Sequence, residues 1–173
     1  MFKTKNTIYL LVLLLLLILT ACSATISEEQ DKAKENAVEA FEANNINPNN
    51  SIENFSVYLP SGMDVDESDP NNIVLSNGSK LYLLFINPNE NESSKVIYET
   101  TLNSTENIRL KETFEKDNRF GFIIINDVSE DLYELTVGIG GTKLTTETDA
   151  ANIAHEAKLM MEIVSSIEFD KAE

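Results

Sequence analysis

Apolar and polar residues change their spacing repeatedly along this 173-residue chain, and each change predicts an element. Ala33, Ala37 and Ala40 fall three or four apart and Phe41 lies four after Ala37, the spacing of one helix face, which predicts a helix over 28–44 whose apolar face is mostly alanine. Ser27-Glu28-Glu29-Gln30 has the capping-box pattern with Ser27 as N-cap, and Asn44-Asn45 followed by Asn47-Pro48-Asn49-Asn50 stops the helix. So thin an apolar face suits either a spacer or a helix lightly docked on a domain.

The period then falls to two. Phe55, Val57 and Leu59 alternate with Ser56 and Tyr58, a half-buried strand closed by Pro60-Ser61-Gly62. Asp64 to Asn72 reads as a polar loop, and Ile73–Leu75 as a short strand running into the hairpin signal Asn77-Gly78. The returning strand, Lys80–Asn87, is apolar on both faces (Leu81, Leu83, Phe85 against Tyr82, Leu84, Ile86), which predicts a central strand covered on both sides, the second time by a helix. After the polar loop from Pro88 to Ser94, Lys95–Leu102 suits a strand by its Val-Ile-Tyr-Thr-Thr content and a helix by its flanks. Ile108–Phe114 alternates, Asp117-Asn118-Arg119 turns, and Phe120–Asn126 returns as a second doubly apolar strand. Ser129-Glu130-Asp131 turns again into Leu132–Ile139, and Gly140-Gly141 marks a bulge or bend before Lys143–Thr146.

Helical spacing comes back at the end. Asp149 is an N-cap, and Ile153, Ala157, Met160, Val164 and Ile167 form one stripe that Leu159 and Met161 widen. Ser165-Ser166-Ile167-Glu168-Phe169 offers a terminal strand. The whole is an α+β pattern, an antiparallel meandering sheet of about six strands covered by an N-terminal and a long C-terminal helix. In element order, from Phe55-Ser56-Val57-Tyr58-Leu59-Pro60-Ser61-Gly62 to the closing helix and its tail, residues 55–169 resemble the PsbP/Mog1-like α/β/α sandwich. That resemblance implies a binding or assembly-factor domain without an active site.

Before all this stands a different signal. Lys3 and Lys5 precede about a dozen apolar residues, Ile8 to Leu19, the charged and hydrophobic parts of a secretory signal, too short for the roughly 20 residues of a membrane span. Leu19-Thr20-Ala21-Cys22 then resembles the lipobox of bacterial lipoproteins. The resemblance implies cleavage before Cys22, a diacylglyceryl group on its sulfur and attachment to the extracytoplasmic face of the cell membrane. The expected organisation is a signal peptide over 1–21, lipidated Cys22 with tether and N-terminal helix over 22–50, and one α+β domain over 51–173. Usage rich in Asn, Ile and Lys suggests an AT-rich genome and a Gram-positive host.

Charge narrows the function. Loss of Lys3 and Lys5 with the signal takes the formal net charge from −16 to −18, which repels phosphate backbones and argues against nucleic-acid binding. Anionic headgroups would repel it too, so the membrane is held through acyl chains, of which at least two are needed for stable anchoring. With one cysteine, no intramolecular disulfide can form.

Asp64, Asp66, Glu67, Ser68 and Asp69 crowd oxygen donors into one stretch. Asp64-x-Asp66-x-Ser68 opens like an EF-hand, but Asp69 replaces the glycine at position six and Leu75 the glutamate at twelve. Asp64, Asp66 and Asp69 are therefore candidate Ca2+ ligands only outside that motif, and a solvated turn is the default reading. Gly138-Ile139-Gly140-Gly141 completes no phosphate loop, Lys143 reads as a surface cation, and His155, the sole histidine, points away from the apolar stripe. No Gly-x-Ser-x-Gly elbow or His-Glu-x-x-His is present, and no nucleophile or base stands out for a hydrolase acting on wall or lipid substrates. The expected function is non-enzymatic, a lipid-anchored binding or accessory module with an envelope protein partner; calcium or solute binding through residues 64–72 is the alternative.

Overall fold

The computed structural model describes residues 26–43 and 46–170; the Leu19–Cys22 motif, Asn44 and Asn45 lie outside the described residues. The first element, α1 (Ile26–Ala43), begins earlier than the capping pattern predicts. Ile26 packs on the core, so Ser27 sits inside the helix and is not its N-cap. The alanine face docks fully. Ala33 and Ala37 are buried, small enough for close helix approach, and Asn36 Nδ2 donates to Ala154 O at 2.8 Å. Phe41 stands edge-on to Phe114, with ring centroids 4.9 Å apart, and lies under the Arg119 guanidinium at 4.7 Å. Arg119 Nη1 also donates to Phe41 O at 3.1 Å, satisfying one carbonyl that the helix end leaves without a partner.

Among the described residues ten strands follow: β1 (Asn50–Ile52), β2 (Phe55–Val57), β3 (Met63–Asp69), β4 (Asn72–Asn77), β5 (Lys80–Ile86), β6 (Ile108–Lys116), β7 (Arg119–Ser129), β8 (Leu132–Ile139), β9 (Thr142–Thr148) and β10 (Glu168–Phe169). Between β5 and β6 lies α2 (Val96–Ser104), which decides the ambiguous segment as helix. A 3-10 turn at Ala150–Asn152 leads into α3 (Ile153–Ser165). Seven strands form one sheet in the order β3-β4-β5-β9-β8-β7-β6, every pairing antiparallel, so the architecture is α+β. A ribbon of β1, β2 and β10 pairs separately.

On one face α1 and α3 pack side by side over Tyr82, Leu84, Ile123, Ile125, Leu135, Val137 and Leu144. On the other, α2 covers a second cluster of Ile97, Phe120, Phe122 and Ile124, with Tyr98 tilted against both phenylalanines at 5.4–5.5 Å. The doubly apolar β7 is thus buried on both sides, as its sequence predicts. β5 is not. Its Tyr82, Leu84 and Ile86 face the main core, while Leu81 and Leu83 remain 53% and 56% exposed because α2 reaches only part of that face.

Two further expectations are corrected. The stretch from Asp64 is no loop but the edge strand β3, zipped onto β4 with a register shift between Val65 and Glu67. Gly140-Gly141 is not a bulge but the turn of the β8–β9 hairpin, since Ile139 pairs directly with Thr142. Gly140 has φ +52°, and a Cβ there would meet Asn91 O at 2.2 Å, so the loop over 87–95 closes against a turn that only glycine can make.

The α3 side of the sheet hides a polar knot. Glu156, buried on α3, accepts from Lys80 Nζ at 2.6 Å and from the Tyr82 hydroxyl at 2.9 Å, and Lys80 also donates to Thr148 Oγ1 at 3.1 Å. Burial, reinforced by the Glu156 carboxylate, pushes the Tyr82 phenol above its ordinary value of 10. Ahead of α3, the Asp149 carboxylate accepts from Asn152 N at 3.1 Å, as the capping reading expects. Asp149→Ala should therefore cost about 1 kcal/mol, seen as a small fall in the urea midpoint with an unchanged slope.

Candidate functional site

The alternation that places Tyr82 and Leu84 in the core sends their neighbours to the opposite face, where sheet register sets them in rows. Asn72, Phe85, Lys143, Gly138 and Phe122 are successive cross-strand partners on β4, β5, β9, β8 and β7. The next row on that face is Val74, Leu83, Thr145, Thr136 and Ile124, and the one beyond carries Glu147, Glu134, Asn126 and Ile108. Helix α2 lies over the β7 end of these rows. What it leaves uncovered is a groove of about 550 Å³, floored by Val74, Leu83, Phe85, Thr136 and Thr145 and walled by Thr101, Ser104 and Thr105 at the end of α2. The groove continues toward Leu81 and Leu132, past the shared residues Leu83, Glu134 and Thr145.

Its chemistry is divided end from end. Lys143 is half-buried beside Phe85 and donates to Thr101 Oγ1 at 3.1 Å. Among the described residues no carboxylate oxygen comes within ion-pairing distance of its Nζ. Burial pulls its pKa below the ordinary lysine value, opposed by the charge of Glu134. In the middle, the Thr136 and Thr145 hydroxyls share a hydrogen bond of 2.9 Å. At the far end stand Glu134 and Asn126; Asn126 is 9% exposed, and its buried Oδ1 has no hydrogen-bond partner. A buried acceptor left unpaired costs about 1–3 kcal/mol, which makes this amide the anomaly of the face. A larger cavity, about 650 Å³ between the end of α3 and the loop over 87–95, has no such atom among its lining residues.

The residues singled out in the sequence lie elsewhere. Asp64, Asp66 and Asp69 are exposed along β3, where the backbone advances about 3.4 Å per residue and successive side chains point to opposite faces. Asp66 Oδ1 instead accepts from Ser76 Oγ at 2.7 Å. The structure does not bring the three together, and among the described residues no group of three or more His, Cys, Asp or Glu converges as a metal site. His155 is exposed on α3, as its helical phase predicts. Lys143 is not the surface cation it resembles, because its strand partners are Phe85 and a glycine and α2 shelters it. The signal that could have found the groove was Leu81 and Leu83, apolar residues in excess of what one helix can cover.

No protein-family model matches the chain, and no curated protein matches it. Among solved structures it is similar to a crystal structure from Bacteroides thetaiotaomicron VPI-5482, with 14% identity and a TM-score of 0.36 over 68% of this chain. The alignment spans 45% of that chain. None of the described helices is long and apolar enough to cross a membrane.

Proposed function

We propose that this chain is a lipid-anchored, extracytoplasmic binding or accessory module of a bacterial cell envelope, with the uncovered half of the α2 face as its binding surface. One observation carries the surface: the interior strand β5 leaves Leu81 and Leu83 more than half exposed beside a sheltered cation. Interior strands ordinarily bury such residues, and an exposed apolar patch on a folded domain marks an interaction site. The anchor rests on Leu19-Thr20-Ala21-Cys22 and the apolar run before it. The acidic body favours attachment through acyl chains over attraction to headgroups.

Both halves are testable in cells. Cys22→Ala should abolish fatty-acid labelling and leave the precursor uncut or released from membranes; a processed, lipid-bearing Cys22→Ala protein would end the anchor reading. A photocrosslinking residue at position 81 or 83 should give a discrete envelope adduct that the same residue at the exposed position 111 does not. Equal adducts at all three positions, or none at 81 and 83, would remove the surface.

A further inference from the structure

We infer that the groove beside α2 is a binding site for a short zwitterionic peptide with an apolar side chain, held by Lys143 at its carboxylate and by Asn126 and Glu134 at its ammonium. The inference rests on reading this face as the binding surface and is independent of the lipid anchor. Three features of the groove converge on that ligand.

Asn126 comes first. It lines the inner end of the groove while its amide oxygen is buried and unpartnered, so the fold gains nothing from that acceptor in the free state. Rotation about χ2 exchanges the oxygen and nitrogen; it brings the acceptor to the groove and turns the amide N–H groups into the buried position, a cost that the contact with the ligand has to offset. Glu134 is its cross-strand neighbour and gives that end a negative charge, which selects a cationic donor. An ammonium meets both demands.

Lys143 is second. It lines the other end with a hydroxyl as its partner and no carboxylate in contact among the described residues, in a chain whose formal charge is −16. A sheltered cation so placed is a seat for an anion, and charge-assisted hydrogen bonds to carboxylates are roughly twice as strong as neutral ones.

Spacing is third. Lys143 pairs with Gly138, and Glu134 lies four residues further along β8, about 13 Å of strand. A ligand hydrogen bond of about 3 Å at each end takes up part of that gap and leaves about 7 Å, the span of two extended residues. Between the two ends the floor is Thr136 and Thr145, whose hydroxyls bond each other, and Leu83 and Val74 lie beside it on β5 and β4 as an apolar flank for a side chain. A volume of about 550 Å³ falls within the usual range for small-ligand pockets. A free amino acid is too short to reach both ends, and a fatty acid would leave Glu134 and Asn126 unanswered.

The test is calorimetric titration of the full chain with leucyl-leucine and trileucine, each also as its N-acetyl and C-terminal amide forms. Saturable binding of an unblocked peptide is expected, weakened about tenfold or more by either block. Lys143→Met should lose that affinity and no longer discriminate against the amide, whereas Lys143→Arg should retain much of both. Asn126→Leu should weaken binding and no longer discriminate against the acetyl form, yet leave the melting temperature equal or higher, because it removes an unsatisfied buried acceptor. A purely structural asparagine would instead give a fall in melting temperature. No saturation by any of these peptides into the millimolar range would overturn the inference. So would binding that the blocks, Lys143→Met and Asn126→Leu all leave within twofold. Peptide failure with position-specific adducts retained at 81 and 83 defeats the peptide alone, whereas loss of both defeats the binding surface as well.

Discussion

Phe41→Ala is expected to lower the unfolding free energy by about 3–5 kcal/mol, read from urea or guanidinium midpoints. The ring is 1% exposed, and its removal opens a cavity that three separate elements line. Phe114 on β6 loses its edge-on partner, the Arg119 guanidinium loses the face it covers, and α1 loses its largest anchor. The remaining contact face of α1 is mainly Ala33, Ala37 and Ala40, each with a single methyl to bury. The result separates two accounts of the helix. A spacer would tolerate the change with a shift near zero, whereas a helix completing the core cannot. A measured loss under about 1 kcal/mol would mean that α1 does not stay docked in solution.

The second large effect belongs to Glu156. Glu156→Ala leaves the Lys80 ammonium and the Tyr82 hydroxyl facing a sheltered space without their acceptor, and should cost about 3 kcal/mol. The cost measures stranded partners and not the worth of the pair. The triple variant Glu156→Leu, Lys80→Met, Tyr82→Phe should therefore recover most of the loss. If the triple is as unstable as the single, shape and not charge holds this joint. The phenol adds an alkaline signature. Its pKa is higher in the fold than the unfolded value of 10, so its contribution is complete below pH 10 and drains away as pH climbs toward the folded value. Tyr82→Phe should flatten that limb of the stability curve and leave the neutral region's slope unchanged.

Much of this fold was legible because its strands obey simple periods. Phe55, Val57 and Leu59, the doubly apolar Phe120–Asn126, the Asp149 cap and the Ile153-to-Val164 stripe all lie where their spacing places them. The failures share a physical cause, which is pairing at a distance. Asp64 to Asp69 looks like a loop because a solvated edge strand needs no apolar residue between its ends; only β4 beside it makes it a strand. Gly140 reads as a bend until Asn91 is seen across from it. Lys95–Leu102 carried β-branched residues that tertiary packing of Ile97 and Tyr98 overrode. The groove was least visible of all. Lys143, Glu134 and Asn126 sit on three different strands, and only the register of β7, β8 and β9 brings them to one face.

If Cys22 carries the proposed lipid, the docking of α1 also bounds how far the molecule can stray. α1 is described from Ile26, and Ile26 touches the core, so under the proposed lipidation only Ser23, Ala24 and Thr25 separate Cys22 from the docked helix. Four Cα steps of extended chain reach at most about 14 Å. That is no stalk through a cell wall. On the proposed anchor the domain would stay near the bilayer, with its acidic body within about two Debye lengths of the headgroups.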